Sequence, residues 1–484
     1  MNKIFKATAA LALLSSSAYA LPIDWHGVFG VDATSIDNYR RLEKTTATAG
    51  TDLSQELALA SGNETSASFQ SYVFRLNPHL IVNDSASFKA EFSSGYGRGG
   101  LLGEDSVSNG TVDNSGNTVK SNDHALYFYN TSGGNQNLQI NKMFMELYSD
   151  TATYIIGRHS ADWGLGVVQN SGKNVWDRHS FSRDGVTMKV KLGNFKVEPF
   201  WAKIENTESL TSATKVKEMG ISLAYDNVDR DLGFGILYST KEASANNNTS
   251  VGTAANKLGA TDAKLTDIYF RKGFGKFNFA VEFPLLSGTV GDVYGTGPIK
   301  LKASALIFES SYELTDTWTV GIDAGQVSGD DGSGSSFQAM YLNPNYQVAN
   351  LLFRYNLAAV ASNTQSIHDS NITNASYLKF KAKYNSENWT WRTAFIYAKA
   401  DQVATAGKRG YNHSTNTLSS STAVANQDDS YGMEMDLGFE YKWNEAVTVG
   451  GDFGYLFTGD YYGFNDTATP NSVDNSYMMQ LKTA

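Results

Sequence analysis

A histidine beside an acid is the first arrangement to test for chemistry, because a carboxylate can orient an imidazole as a general base. The chain has 7 histidines, and two sit this way, in Asn122-Asp123-His124 and His368-Asp369-Ser370. Neither has the Gly-x-Ser-x-Gly surrounding that lifts a nucleophile onto a strand–helix turn. Both lie in polar loop sequence, where a neighbouring His and Asp are ordinarily solvated. The His-Glu-x-x-His spacing that aims two imidazoles at one zinc is absent. With 0 cysteines, thiolate ligation and thiol chemistry are unavailable. Asp330-Asp331, between Gly329 and Gly332, offers the oxygen ligands that Ca²⁺ takes, although a solvated acidic loop has the same composition. These residues point away from an enzyme, and no cofactor or metal is expected.

A larger set of charges follows strand periodicity. Within 141–192, Met143, Met145 and Leu147 alternate with Phe144, Glu146 and Tyr148. The turn Ser149-Asp150-Thr151 sends the chain back through Thr153 to Arg158. Further on, Val186, Met188, Val190 and Leu192 alternate with Thr187, Lys189 and Lys191. Successive side chains of a strand point to opposite faces, so these segments oppose apolar residues to polar or charged ones. Between the second and third segments lies a long connection carrying Asp162, Lys173, Asp177, Arg178 and Arg183. Two-faced segments joined by short turns at one end and long loops at the other suit a wall between lipid and water.

The same unit recurs along the chain. Trp25, Gly27, Phe29 and Val31 open it, and Phe88, Ala90 and Phe92 oppose Lys89 and Glu91. Leu378, Phe380, Ala382 and Tyr384 oppose Lys379, Lys381 and Lys383, while Met433, Met435, Leu437 and Phe439 oppose Glu434, Asp436 and Glu440. Counting such segments predicts an all-β fold, a transmembrane antiparallel β-barrel of about 18 strands (roughly 16–20) with short periplasmic turns and long extracellular loops. Residues 328–374 admit either one long loop or a further hairpin around Pro344. A barrel this wide encloses water, so Lys89, Glu91, Lys379, Lys381, Lys383, Glu434, Asp436 and Glu440 are the candidate lumen-facing residues.

Composition agrees. Aromatic residues make up 12 % of the chain, as girdles at two membrane interfaces require. Only 7 prolines interrupt it, as hydrogen-bonded strands require. No second run of 18 apolar residues is present, so helical spans are not expected. Residues 1–20 carry Lys3 and Lys6, a short apolar run and the ending Ala18-Tyr19-Ala20, which read as a secretory signal peptide, with the barrel over 21–484. The formal charge of −10 becomes about −12 without those two lysines, which argues against a nucleic-acid partner.

The signal peptide, the repeated hairpins and the barrel width together resemble the general-diffusion porins of Gram-negative outer membranes. The phrases Asp24-Trp25-His26-Gly27-Val28-Phe29-Gly30-Val31-Asp32 and Ile156-Gly157-Arg158-His159-Ser160-Ala161-Asp162-Trp163-Gly164-Leu165-Gly166 resemble those of the major porins of Bdellovibrio-type predatory bacteria. The likeness covers the mature chain in architecture and these phrases in wording. It implies a place in the bacterial outer membrane, contact with its lipids and lipopolysaccharide, a possible homotrimer, and small polar solutes and ions as passengers. It also implies a third long loop folded into the pore. By position that loop is 160–183, which makes Arg158, Asp162, Lys173, Asp177, Arg178, Arg183, Lys189 and Lys191 the candidate constriction. One departure stands out: such barrels end on an aromatic residue, whereas here Tyr477, Met479 and Leu481 alternate correctly but no Phe closes the strand. The expectation is a water-filled channel for passive diffusion of ions and small polar solutes. The alternative is a non-conducting barrel acting as surface adhesin or structural protein. A dedicated transporter for apolar solutes is disfavoured by the charged inward faces.

Overall fold

The computed structural model describes residues 23–38, 66–94, 98–102, 138–206, 215–243, 261–291, 294, 298–355, 367–414, 417–464 and 473–484. Residues 1–20 and the Asn122-Asp123-His124 loop lie outside them. The chain forms a sheet of 20 strands, of which Gly99–Leu101 and Ser336–Phe337 are short additions and the other eighteen make the wall. Each wall strand pairs antiparallel with its neighbour in sequence, and the first, Ile23–Asp37, pairs with the last, Ser476–Thr483. The sheet is therefore a closed antiparallel barrel. Two of its hairpins turn through Gly193-Asn194 and Gly275-Lys276, where the glycines have φ of 60° and 61°. A two-residue hairpin with its first residue at positive φ matches the twist of the flanking strands and needs glycine there.

Alternation sets the two faces as the sequence predicts for most of the wall. Phe380 and Leu437 point outward, 46 % and 49 % exposed, while Glu434 and Ile396 are fully buried inside. At the short-turn end the outer aromatics gather into a girdle. Trp389 lies 4.7 Å from Tyr441 between ring centres, and Trp318 lies 5.1 Å from Tyr384. Such rings pair an apolar body with a polar edge, which suits an interface between lipid and water.

Residues 328–374 are one long connection. The strand Trp318–Val327 pairs directly with Ala375–Asn385, ending at Val327↔Ala375, so no further hairpin enters the wall. The connection folds into the barrel, where Met340, Leu342, Leu351 and Leu352 share a buried cluster with Ile299, Leu301, Ala303 and Ile307 of the strand Ile299–Glu313. This strand thus has an apolar inner face at its loop end, and Lys300 and Lys302 stand exposed on its outer face.

The face assignment predicts that Phe380→Arg or Leu437→Arg impairs insertion by about 2–4 kcal/mol, the cost of an arginine on the lipid face near the midplane. Lys383→Glu, on the inward face, is expected to insert like the parent. Folded fraction in lipid vesicles, read by the gel shift between unheated and boiled samples, measures both. Equal behaviour of the two classes would reverse the phase of these strands.

Candidate functional site

The third long loop enters where the wall parts. Strands Leu138–Tyr148 and Ala152–Ser160 pair only as far as Met143↔Arg158. Gly157 has φ of 124°, and a Cβ there would run into the Met143 carbonyl. Only glycine adopts this conformation without strain, and the strand stays paired with Ser182–Leu192 as far as Ser160, where the chain leaves the wall. Residues 161–181 then cross the interior. Arg75 donates to the carbonyls of Gly172 (2.8 Å) and Asn174 (2.9 Å), and Arg98 to those of Ser171 (3.0 Å), Gly172 (2.8 Å) and His179 (2.9 Å). Arg178 donates to Asp32 (2.9 Å), Ser71 Oγ (2.7 Å) and the Tyr72 carbonyl. Far around the wall, the Leu165 amide donates to Glu282, and Trp163 packs with Phe200, Leu237 and Leu265. Ser66–Asn83 is the second wall strand and Phe277–Val290 the eleventh, so the anchors lie half a circumference apart. The loop spans the lumen.

A second inward loop, from the long connection 328–374, meets the first. Buried Glu434 accepts from the consecutive amides of Asn350 (2.8 Å), Leu351 (2.7 Å) and Leu352 (2.7 Å), and Asp436 accepts from Asn350 N at 3.2 Å. Three convergent N–H groups compensate a carboxylate that has lost its water. Lys379 donates to the Val348 carbonyl at 2.7 Å, and the Tyr346 hydroxyl to Glu309 at 2.7 Å. The two loops join through Asn343 N to the Val167 carbonyl (2.7 Å) and His179 N to Asn345 Oδ1 (3.1 Å). Between the loops and the wall lies a cavity of about 650 Å³, whose lining includes Lys173, Arg354, Lys379, Arg392, Glu440 and Lys482. Arg392 (3.4 Å) and Lys482 converge on Asp452.

The candidate lumen-facing residues all lie on inward faces of their strands, but most are tied down. Lys89 pairs with Glu146 at 2.7 Å, and Glu91 lies between Arg98 (2.8 Å) and Lys142 (2.9 Å). Lys381 pairs with Asp323 at 2.6 Å. Lys379, Asp436 and Glu440 border the cavity, Glu434 is the buried clamp, and Lys383 lies near the short-turn end.

The candidate constriction divides. Lys173 is 81 % exposed and pairs with Asp162 at 2.7 Å, and Asp177 lines the cavity. Arg178 and Arg183 are buried anchors, and Arg178 also borders the cavity. Arg183 stands 3.8 Å from Glu218 with its guanidinium 3.6 Å from the centre of the Phe200 ring. Arg158 is on the outer face, because strict alternation with Ile156 carries it outward, and it pairs there with Asp184 at 2.6 Å. Lys189 and Lys191 face inward, but only three and one residues from the strand end at Leu192, well below the loop. His368 is buried rather than solvated, and Asp369 meets His179 at 3.1 Å. Asp330 accepts from the Tyr294 hydroxyl, Gly332 N and Gln338 N. Arg75, Arg98, Arg354 and the clamp role of Glu434 were not foreseen. The signal lay in the apolar run Leu351-Leu352-Phe353, unusual for an exposed loop.

Charge states follow from these contacts. Burial pushes the Asp162 carboxyl up, but hydrogen bonds from Lys173 and Ser171 outweigh it and hold the group below its usual range. Burial pushes Asp177 above its usual range. Burial also depresses His179, against the pull of Asp369, and depresses His368 strongly, helped by Arg178 and Arg354.

No family model matches the chain, and no curated protein matches it. Among solved structures it is similar to Pseudomonas aeruginosa OpdQ, at 11 % identity and a TM-score of 0.47 over 96 % of this chain and 97 % of that one. It is likewise similar to Pseudomonas aeruginosa OpdL (10 %, TM-score 0.48, 95 % and 99 %) and Acinetobacter baumannii OccAB4 (10 %, TM-score 0.46, 97 % and 100 %). The fold and site themselves define a wide, closed antiparallel barrel narrowed by two inward loops.

Arg178→Met is expected to cost about 3–5 kcal/mol, because it strands a buried Asp32. A lowered midpoint of heat unfolding in detergent, with ion preference unchanged, would show that anchoring is its main role, whereas altered selectivity at parental stability would show that it acts chiefly as lining.

A pH dependence follows from the histidines. A depressed folded pKa means that the contacts are at full strength above the ordinary imidazole value, about 6.5. They weaken as pH falls below it. Protection of the Asn343 and Asn345 amides from exchange, corrected for the intrinsic rate at each pH, should therefore fall on acidification, and His179→Gln with His368→Gln should flatten the response.

Proposed function

We propose that the chain is an outer-membrane porin, a water-filled channel through which ions and small polar solutes diffuse passively. One observation carries the reading: a closed barrel, apolar outside, holds a charged cavity of about 650 Å³ between two loops pinned to its inner wall. Barrels of 16–18 strands leave an aqueous passage, and inward loops bring fixed charges close to whatever passes. In a narrow lumen those charges are less screened than at an open surface. The function so read is transfer without covalent chemistry.

In the same reading residues 1–20 direct export, and the barrel sits in the bacterial outer membrane among lipopolysaccharide. It assembles as a homotrimer. The phrases at 24–32 and 156–166, which resemble those of predatory-bacterium porins, agree with it.

Planar-bilayer recording of the purified protein tests the proposal. Stepwise conductance is expected, and Arg354→Gln with Lys379→Glu should move the reversal potential toward cation preference. Inserted protein without conductance would leave the non-conducting adhesin or structural barrel. An unmoved reversal potential would take the cavity out of the permeation path.

A further inference from the structure

The outer face of the wall is uneven at its loop end. On one arc, basic residues stand one to three outward positions above the apolar belt. Lys203 follows Trp201, Lys217 precedes Met219, and Lys399 follows Tyr397. Lys264 lies two outward positions from Ile268, and Lys302 two from Leu306, with Lys300 one further. On the seam arc the corresponding outward residues are Ser35, Asp37, Ser68 and Gln70, and no cation stands among the described residues there. The asymmetry runs against composition, since acidic residues outnumber basic ones by 49 to 39.

The centre of this arc is held in place from within. Ile299, Leu301 and Ala303 are 9 %, 6 % and 3 % exposed against the second inward loop. Strand alternation therefore forces Lys300 and Lys302 outward. Leu265 is buried inside in the same way and turns Lys264 out. Lys264 and Lys302 both register on Ser287 of the intervening strand, which puts their backbones roughly 10 Å apart. Two other cations of the arc are neutralised, Lys217 by Glu242 at 2.8 Å and Lys399 by Asp429 at 3.6 Å. Lys264, Lys300 and Lys302 form no ion pair among the described residues, and Asp262 is the acid nearest them in register.

We infer that Lys264, Lys300 and Lys302 form a docking site for phosphate-bearing head groups of outer-leaflet lipid, whose acyl chains lie on the belt below. The inference rests on the membrane-barrel reading. Three long amphipathic side chains at the top of an apolar surface extend their ammonium groups into the head-group layer. A phosphate there gains charge attraction, while its chains cover Ile268 and Leu306. The convex, outward position selects a lipid over a free anion, which would have no apolar half to bury.

The test uses the full chain, folded in detergent and reconstituted in phosphatidylcholine vesicles with lipid A, either phosphorylated or with its phosphates removed. Lipid retained per barrel is counted by native mass spectrometry. Phosphorylated lipid A should be retained preferentially, with a loss of about fivefold per lysine removed in Lys264→Gln, Lys300→Gln and Lys302→Gln. Lys383→Gln, on the inward face, should keep the preference, and Lys302→Gln alone supplies the graded step if the triple variant folds poorly. Equal retention of the two lipids, or an unchanged preference in the variants, overturns the inference. So does displacement by millimolar inorganic phosphate, which would mark a free-anion site. Failure to insert into vesicles at all would instead remove the membrane reading beneath it.

Discussion

Asp32 ties the structure together. It is 1 % exposed on the first strand, and it accepts from Arg178 of the third loop, from Ser71 of the second strand and from Gln480 of the last. The barrel must close, because backbone N–H and C=O groups facing lipid find no water, and an open sheet edge cannot be satisfied there. Closure brings the two ends of the chain side by side, and the same buried carboxylate that bridges them also anchors the loop that narrows the interior. The seam and the constriction thus depend on one group, and neither can shift without disturbing the other.

Fixing a loop inside a wide barrel means burying backbone that would otherwise be solvated. The structure meets that cost with charged side chains aimed at main-chain groups. Arg75 and Arg98 take the carbonyls of 171–179, while Glu434 takes three amides of the second loop. Charge-assisted bonds of this kind are about twice as strong as neutral ones. They also impose a cost of their own, since a guanidinium or carboxylate left unpaired in this interior would be strongly destabilising. Many inward charges therefore serve position, and only a subset, among them Lys173, Arg354, Lys379 and Glu440, faces the open cavity.

That division explains what was legible. The outward phase of strands such as 433–441 could be read because lipid demands apolar residues at every second position. Arg158 obeyed the same rule; expecting it to turn inward near the loop meant abandoning an alternation that continues through it. Charge type alone does not separate an anchor from lining. Arg178 and Lys173 look alike in sequence, yet one is buried against Asp32 and the other is exposed in the lumen. Residues 328–374 were ambiguous because their apolar residues follow no strand period and their anchors lie far away in sequence. Leu351 and Leu352 meet Glu434 across more than eighty positions, with separations of 83 and 82.

The strand Ile299–Glu313 shows how the two sides of the wall constrain each other. Its loop-end half, Ile299-Lys300-Leu301-Lys302-Ala303, alternates as cleanly as any other, but in the opposite sense, with apolar residues inside. A sequence rule that sends apolar residues to lipid would invert this stretch, because a one-residue change of phase moves every side chain to the other face. The inner loop prevents that inversion: it offers the apolar face a drier partner than the head-group layer, and the lysines are left to the outside. Packing in the lumen therefore decides the charge displayed at the membrane rim. A barrel with the same wall but a loop that stayed outside would have no reason to keep Ile299 and Leu301 inward, and its outer rim would lose the lysines with them.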